Sequence, residues 1–494
     1  MSDNKKLYRQ ILQSTTLFGS VQIFNIIISV ARSKVIALLI GPLGMGIAGL
    51  LNAAISVIGG ITSLGLETSA VKYISQTNEL DDKAELNKIV AVLRKTVWFT
   101  GFAGAFSVII LSPWLSILTF GNSDYTYWFI WLSVTLLFKQ LTIGQFAVLQ
   151  GLRKLKQLAN ANFMGSLFGF LISIPIYWYY GINAIVPAIV VSSLAALFFS
   201  WYYSRDVVFD TIKLRNRQAL REGKGMIKLG VLLSLSGLIA TFSLYVLQIY
   251  ISSKSDLVET GLYNAGFLLL NSYVGMIFTA MGTDYFPRLA AISDDNSKVS
   301  ETVGHQAQIG VLLLTPIIVL FLIFAPLIVR ILFSSDFLAI IPMISLGIIG
   351  MLFRAASWSV GYVLIAKGDS KLFIRSAFGF NAIFLLLHVM GYYFYGLTGL
   401  GAAFAVHYIL HFIILKFIAQ KRYGLYFSRD FLLMFGLCFL LCIGTLMTSY
   451  IDNPLIKYLL FAVLAITTIG YALIQLNKRI NLREFVSSKL SKND

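Results

Sequence analysis

Four basic side chains, Arg32, Lys34, Lys139 and Arg354, interrupt stretches that are otherwise apolar for a membrane-spanning length. No acidic residue lies as deep in those stretches. A charge at the centre of a spanning helix costs about 2.5–3.5 kcal/mol on insertion scales. Four such cations without deep acidic partners point to a water-filled, electropositive cavity that receives an anion. The competing explanation is snorkelling, in which a long side chain reaches an interface. Lys139 stands about eleven residues, or about 16 Å at the helical rise, from either end of its apolar stretch, too far to reach water easily, and Arg354 is similarly central. Arg32 and Lys34 are two residues apart, about 200° around a helix, so both face one cavity only if the helix is broken there. The expected anion site therefore rests first on Lys34 and Arg354, then on Arg32 and Lys139.

Glu67 and Asp284 fall where the second and eighth apolar stretches end. They read either as solvated helix-end acids or as a matched pair of gate contacts. His388, His407 and His411 lie at lipid depth. Such imidazoles can relay protons, but hydrogen-bonded packing is the simpler reading. Cys438 and Cys442, the only cysteines, stand four apart in an apolar stretch and read as packing residues, with neither a disulfide framework nor a metal site. No cofactor is expected.

The elements that must position these groups follow from hydropathy. Of 494 residues, 57% are hydrophobic and only 12% charged, which excludes an ordinary soluble protein; mean hydropathy is +0.80. Fourteen apolar segments are expected, at about 14–40, 43–66, 96–119, 127–149, 159–180, 183–203, 229–251, 262–284, 307–332, 338–365, 373–395, 398–418, 431–450 and 455–476. The first reads as an uncleaved helix, since no small-residue cleavage site follows a short core. Placing the N-terminus inside makes the connections alternate. Then 32 of the 39 Lys and Arg residues fall on the inner side, which predicts both termini in the cytoplasm. The formal charge of +17 is thus mainly a topology signal, and nucleic acid is not an expected partner.

A shift of 217 residues lays Gly44 on Gly261, Ala48 on Ala265, Gly49 on Gly266, Leu51 on Leu268, Gly65 on Gly282 and Glu67 on Asp284. The shift predicts an all-α polytopic protein of two pseudo-symmetric six-helix lobes, 1–215 and 216–424. A C-terminal helix pair and tail follow at 425–494. Parallel repeats of this kind are related by an axis along the membrane normal. The basic stretch from Arg205 to Lys228 is then the cytoplasmic linker between the lobes, and a phosphoinositide-type or nucleic-acid patch is its sharper reading.

Several motifs carry a family resemblance: Gly41–Gly46, Val71-Lys72-Tyr73-Ile74-Ser75-Gln76, Phe120-Gly121-Asn122-Ser123-Asp124-Tyr125, Gln150-Gly151-Leu152-Arg153, Tyr285-Phe286-Pro287-Arg288-Leu289 and Gly361–Lys367. Through them the chain resembles the polysaccharide-transporter branch of the multidrug/oligosaccharidyl-lipid/polysaccharide flippase superfamily. Within it, the chain is most similar to Wzx-type translocases of O-antigen and enterobacterial common antigen. The resemblance implies an inner-membrane flippase, not an enzyme, that moves an undecaprenyl-pyrophosphate-linked oligosaccharide from the cytoplasmic to the periplasmic leaflet by alternating access. It implies cations at Lys34, eight residues before Pro42, and at Arg354, seven before Gly361. Partners would be the lipid-linked oligosaccharide, membrane lipids and other polysaccharide-assembly membrane proteins. The last two segments depart from the twelve-span pattern of many Wzx-type members.

Other functions fit the sequence less well. A lipid II flippase would share the spans and the cationic cavity. A cation-coupled multidrug exporter calls for deep acids, where this chain has deep bases. A membrane glycosyltransferase or polymerase on the same lipid carrier calls for an extramembrane catalytic region, and the expected outer connections are about ten residues or fewer.

Overall fold

The computed structural model describes residues 2–80, 82–205, 207 and 216–480. Within its helices, the side chains of 2–26, 216, 217, 220, 273, 276, 279, 280, 283, 284, 287, 479 and 480 lie outside the description. No strand occurs among the described residues. The helices are α1 (Ser2–Thr62), α2 (Leu66–Glu79), α3 (Lys83–Phe120), α4 (Thr126–Gly151), α5 (Leu155–Tyr180), α6 (Ile185–Ser204), α7 (Asn216–Glu222), α8 (Lys224–Lys254), α9 (Leu257–Phe267), α10 (Met276–Ala291), α11 (Asn296–Leu332), α12 (Ile341–Ala366), α13 (Ser370–Tyr423), α14 (Arg429–Thr448) and α15 (Pro454–Ile480).

Among the described residues, ten helical stretches are long and apolar enough to cross a membrane, against fourteen segments expected from hydropathy. Three stretches contain an internal break. Gly41 leaves the helical region (φ 61°, ψ −168°) inside α1, and Pro42 starts the next helix, where its missing N–H and fixed φ cost nothing. A short 3₁₀ turn, Gly181–Ala184, joins α5 to α6. Tyr395 and Gly396 break α13, and Gly391 then packs against the Gly399 carbonyl across the turn. The eighth expected segment, 262–284, is not one α-helix. It passes from α9 through a π-helical turn, Leu268–Val274, into α10.

The chain forms two compact units. The first comprises residues 1–261 with 332–334, and the second 262–331 with 335–494. In the first unit, Leu51, Ile55, Phe129, Leu132 and Tyr245 form one core, and Leu66, Ile74, Leu93 and Leu149 another. Glycine permits the close contacts there. A Cβ on Gly46 would stand 1.9 Å from the Leu257 carbonyl oxygen, and one on Gly261 would stand 1.8 Å from that of Pro42. Likewise α8, which the 217-residue shift assigns to the second half of the sequence, packs with this unit: a Cβ on Gly230 would lie 2.3 Å from the Leu64 oxygen. In the second unit, Tyr285, Leu289, Val303, Val363 and Leu415 form a core, and the Tyr285 hydroxyl donates to the Ser359 carbonyl at 2.7 Å.

Candidate functional site: a cationic cavity

The first unit holds an open cavity of about 630 Å³, within the usual ligand-site range of roughly 300–1,000 Å³. Five helices build its polar wall, α2 through Glu67 and four others. The first arm of α1 brings Arg32 and the second Asn52; α4 brings Lys139 and Thr142; α5 brings Asn162, Ser166 and Tyr177; α6 brings Ser192 and Ser193. Small residues set the α5–α6 approach. A Cβ on Gly165 would stand 3.0 Å from Ala196 Cα, and the Ser192 hydroxyl donates to the Gly169 carbonyl at 3.1 Å. Such small-residue faces let apolar helices pack closely. Here they also leave hydroxyls on the cavity side.

Lys139 lies at the middle of α4 and is nonetheless exposed, because its side chain opens onto this space. No hydrogen bond or ion pair reaches it among the described residues. Arg32 is half-buried; its Nη2 donates to the Ser166 carbonyl at 3.4 Å, while its Nε is buried without a partner. Glu67, in the first turn of α2, is exposed on the same cavity and is its one lining carboxylate among the described residues. Two cations, one acid and a ring of hydroxyls and amides can hold a hydrated anion or a polar headgroup inside an otherwise apolar bundle.

Lys34 points elsewhere. Its ammonium donates to the Phe333 carbonyl within the first unit, and it does not line the cavity. The separation of about 200° between Arg32 and Lys34 accounts for the split.

Arg354 belongs to a separate cluster in the second unit. Its Nη1 donates to Asn271 Oδ1 at 2.7 Å, and its guanidinium carbon stands 5.1 Å from the Phe278 ring centre and 5.2 Å from that of Tyr408. Asn271 sits on the π-helical turn, a type of irregularity frequent at functional sites. Asp284 is in α10, but its side chain lies outside the described residues. His388 and His411 each lie against a phenylalanine, Phe384 at 3.9 Å and Phe380 at 4.1 Å between ring centres, and His388 Nδ1 meets the Phe384 carbonyl at 2.8 Å. His388 Nε2, His407 Nδ1 and His411 Nδ1 are buried with no hydrogen-bond partner among the described residues, so these rings are packed but only partly hydrogen-bonded. No group of three or more His, Cys, Asp or Glu residues among those described is arranged to hold a metal.

Sequence reasoning missed Asn271 and the hydroxyl wall. The alternation of Gly165, Ser166 and Gly169 with Ser192, Ser193 and Ala196 at helical spacing was the available signal for the wall. Nothing in the residue pattern announced the π-helical turn.

Residues 35–342 match the family described as polysaccharide biosynthesis protein. The chain belongs to that family. This polysaccharide biosynthesis protein is also similar to the lipid III flippase of Escherichia coli (strain K12), with 22% identity over 394 residues covering 77% of this chain and 91% of the relative. Two solved structures share its fold. One is the lipid II flippase MurJ in an inward closed conformation (TM-score 0.69, 14% identity, 93% of this chain and 99% of that one). The other is an inward-facing multidrug resistance transporter of the MATE family in the MOP superfamily (TM-score 0.69, 12% identity, 81% and 94%). The family member is thus a multi-pass membrane protein with a MurJ- and MATE-like transporter fold.

Proposed function

We propose that this protein is a flippase for a lipid-linked sugar whose link to the lipid is anionic, an undecaprenyl-pyrophosphate oligosaccharide of the O-antigen repeat-unit type. The observation that carries the reading is the pair Arg32 and Lys139 on one polar cavity inside apolar helices. A pyrophosphate and a glycan cannot cross about 30 Å of hydrocarbon unaided. A hydrated cavity with two unneutralised cations supplies the charge that such a headgroup loses on leaving water, while the polyprenyl tail stays in lipid. Movement from the cytoplasmic to the periplasmic leaflet would follow an alternation of inward and outward states. Glu67, at the start of α2 and on the cavity wall, is the candidate gate: it can pair with a cation when the headgroup is absent and release it when the headgroup binds. Arg354, held by Asn271, is the candidate cation of the second unit.

The lipid III flippase relative and the MurJ fold support a lipid-linked precursor as cargo. They leave lipid II as the second reading, and the cavity chemistry suits both, because the pyrophosphate is common to them. A multidrug exporter for cationic compounds fits the cavity poorly, since its cations outnumber its acid two to one.

The deciding experiment is a proteoliposome assay with undecaprenyl-pyrophosphate carrying defined glycans, scored by the accessibility of the headgroup to an external reagent. Wild type should expose an O-antigen-type unit faster than lipid II, and the Arg32→Ala/Lys139→Ala double variant should expose neither. Export of a cationic dye with no movement of any lipid-linked sugar would overturn the proposal.

A further inference from the structure

We infer that α3, α4 and α6 of the first unit build a second, separate site, which binds the phosphate-bearing headgroup of an anionic phospholipid. Two clefts lie on either side of Trp98. One, of about 410 Å³, is lined by Arg94, Gln145, Trp201, Ser204 and Arg205. The other, of about 530 Å³, is lined by Arg94, Lys95, Phe99 and Phe102. Arg94 and Trp98 belong to both. Neither cleft has an acidic lining residue among those described, and neither shares a residue with the 630 Å³ cavity.

The chemistry of the two clefts differs in a way that fits the two ends of one lipid. In the first, two guanidinium groups, an amide and a hydroxyl face a space walled by indoles. Arginine forks match phosphate oxygens, and indoles favour the depth at which headgroups lie. The Gln145 amide oxygen accepts from the Ser200 hydroxyl, which fixes the carboxamide at the cleft wall. Arg205 is itself steered, with its guanidinium carbon 4.2 Å from the centre of the Tyr202 ring.

The second cleft opens onto an apolar ramp. Trp98 stacks on Phe102 at 5.4 Å, and Phe102 and Phe106, one turn apart on α3, are 56% and 64% exposed. A ramp that leads from a cationic cleft along the helix is the shape of a headgroup followed by an acyl chain. Arg94 and Lys95 also stand where the sequence passes from the polar 82–95 stretch into the apolar 96–119 segment. That is the depth of the phosphate plane, where each Lys or Arg attracts anionic lipid. The occupant is therefore bulk anionic phospholipid, which reaches this outward-facing ramp directly from the bilayer.

The test titrates the purified full chain in detergent with phosphatidylglycerol or phosphatidylcholine and counts retained lipid by native mass spectrometry. Wild type should hold one phosphatidylglycerol at about tenfold lower concentration than phosphatidylcholine. The Arg94→Gln/Arg205→Gln variant should lose that preference, Arg94→Lys/Arg205→Lys should keep part of it, and Lys154→Gln/Lys156→Gln should keep all of it. A thermal midpoint equal to wild type shows that the glutamine variant is folded; if it falls, the single variant Arg205→Gln takes its place and should lose part of the preference. Equal retention of the two lipids overturns the inference, as does an undiminished preference in the cleft variants or an equal loss in the Lys154/Lys156 control. Displacement of the bound lipid by equimolar undecaprenyl pyrophosphate would reassign the clefts to the transported substrate and overturn it too. Because transport is not read, failure here leaves the flippase proposal standing.

Discussion

Arg32 and Lys139, from α1 and α4, line the same cavity, and only one of them has a described hydrogen-bond partner: Arg32 donates to the Ser166 carbonyl at 3.4 Å, while Lys139 has none. Lys139 opens onto the cavity and makes no described bond that its removal would break, so Lys139→Met should leave thermal stability unchanged or slightly raised. The same change removes a charge from the proposed anion site, where a hydrogen bond to a charged group is worth about 1.5–3 kcal/mol. Transport at matched membrane levels should therefore fall roughly 10- to 100-fold, as 1.4 kcal/mol is a factor of ten. A Lys139→Met variant that transports like wild type would sink the assignment, whatever its stability.

How far the sequence could reach is plain from these residues. Deep cations without deep acids were visible as residue types, and the apolar segments fixed an all-helical membrane fold. Which cations share a space was not visible, because facing depends on helix rotation and neighbours. Arg32 and Lys34 show this: a two-residue step turns one toward the cavity and the other toward Phe333. The fourteen-segment reading met ten long stretches because three of those stretches each hold two expected segments, divided at Gly41, at Gly181–Ala184 and at Tyr395–Gly396, close to the expected boundaries, and because the π-helical turn interrupts 262–284, which hydropathy does not register. Asn271 was illegible for the same reason: a polar residue in an apolar stretch acquires its role only when the π turn sets it against Arg354.

Lys34 should behave unlike Lys139. Its ammonium anchors the Phe333 carbonyl, and a buried carbonyl that loses a charged donor costs about 1–3 kcal/mol. Lys34→Met should therefore lower the thermal midpoint, and Lys34→Arg should recover part of it. Thermal unfolding of the two variants beside Lys139→Met separates the roles: equal effects of the two methionine changes would show that the anchor does not operate.

Backbone proximity makes a sharper stability prediction. A Cβ on Gly46 or Gly261 would meet a main-chain carbonyl at 1.9 or 1.8 Å, and main chain cannot rotate out of the way. Gly46→Ala and Gly261→Ala should each cost at least the 1–3 kcal/mol typical of overpacking, enough to lower yield in the membrane. Gly237→Ala on α8 has nothing within 4 Å and should be neutral or stabilising by up to about 1 kcal/mol from helix propensity. Expression and thermal midpoint of the three variants decide it, and tolerance of alanine at both 46 and 261 would contradict the close approach.

The Arg354–Asn271 pair allows a double-mutant cycle inside the second unit. The 2.7 Å bond joins a guanidinium to an amide oxygen, and a charge-assisted bond of this type should couple by about 1–3 kcal/mol. Asn271→Ala leaves the guanidinium short of that acceptor and should destabilise. Arg354→Ala removes the charge with the bond and should cost less than the two separate losses would suggest, so the double variant should be little worse than Asn271→Ala. Arg354→Lys keeps the charge but gives up the planar group above Phe278 and Tyr408, whose cation–π contribution is about 0.5–2 kcal/mol each. Its transport should therefore lie between wild type and Arg354→Ala. The cycle is read from denaturant titration of the four proteins, with transport measured in parallel. Strict additivity would mean that the bond contributes nothing, and Arg354→Ala transporting like wild type would remove Arg354 from the proposed site, whatever the cycle shows.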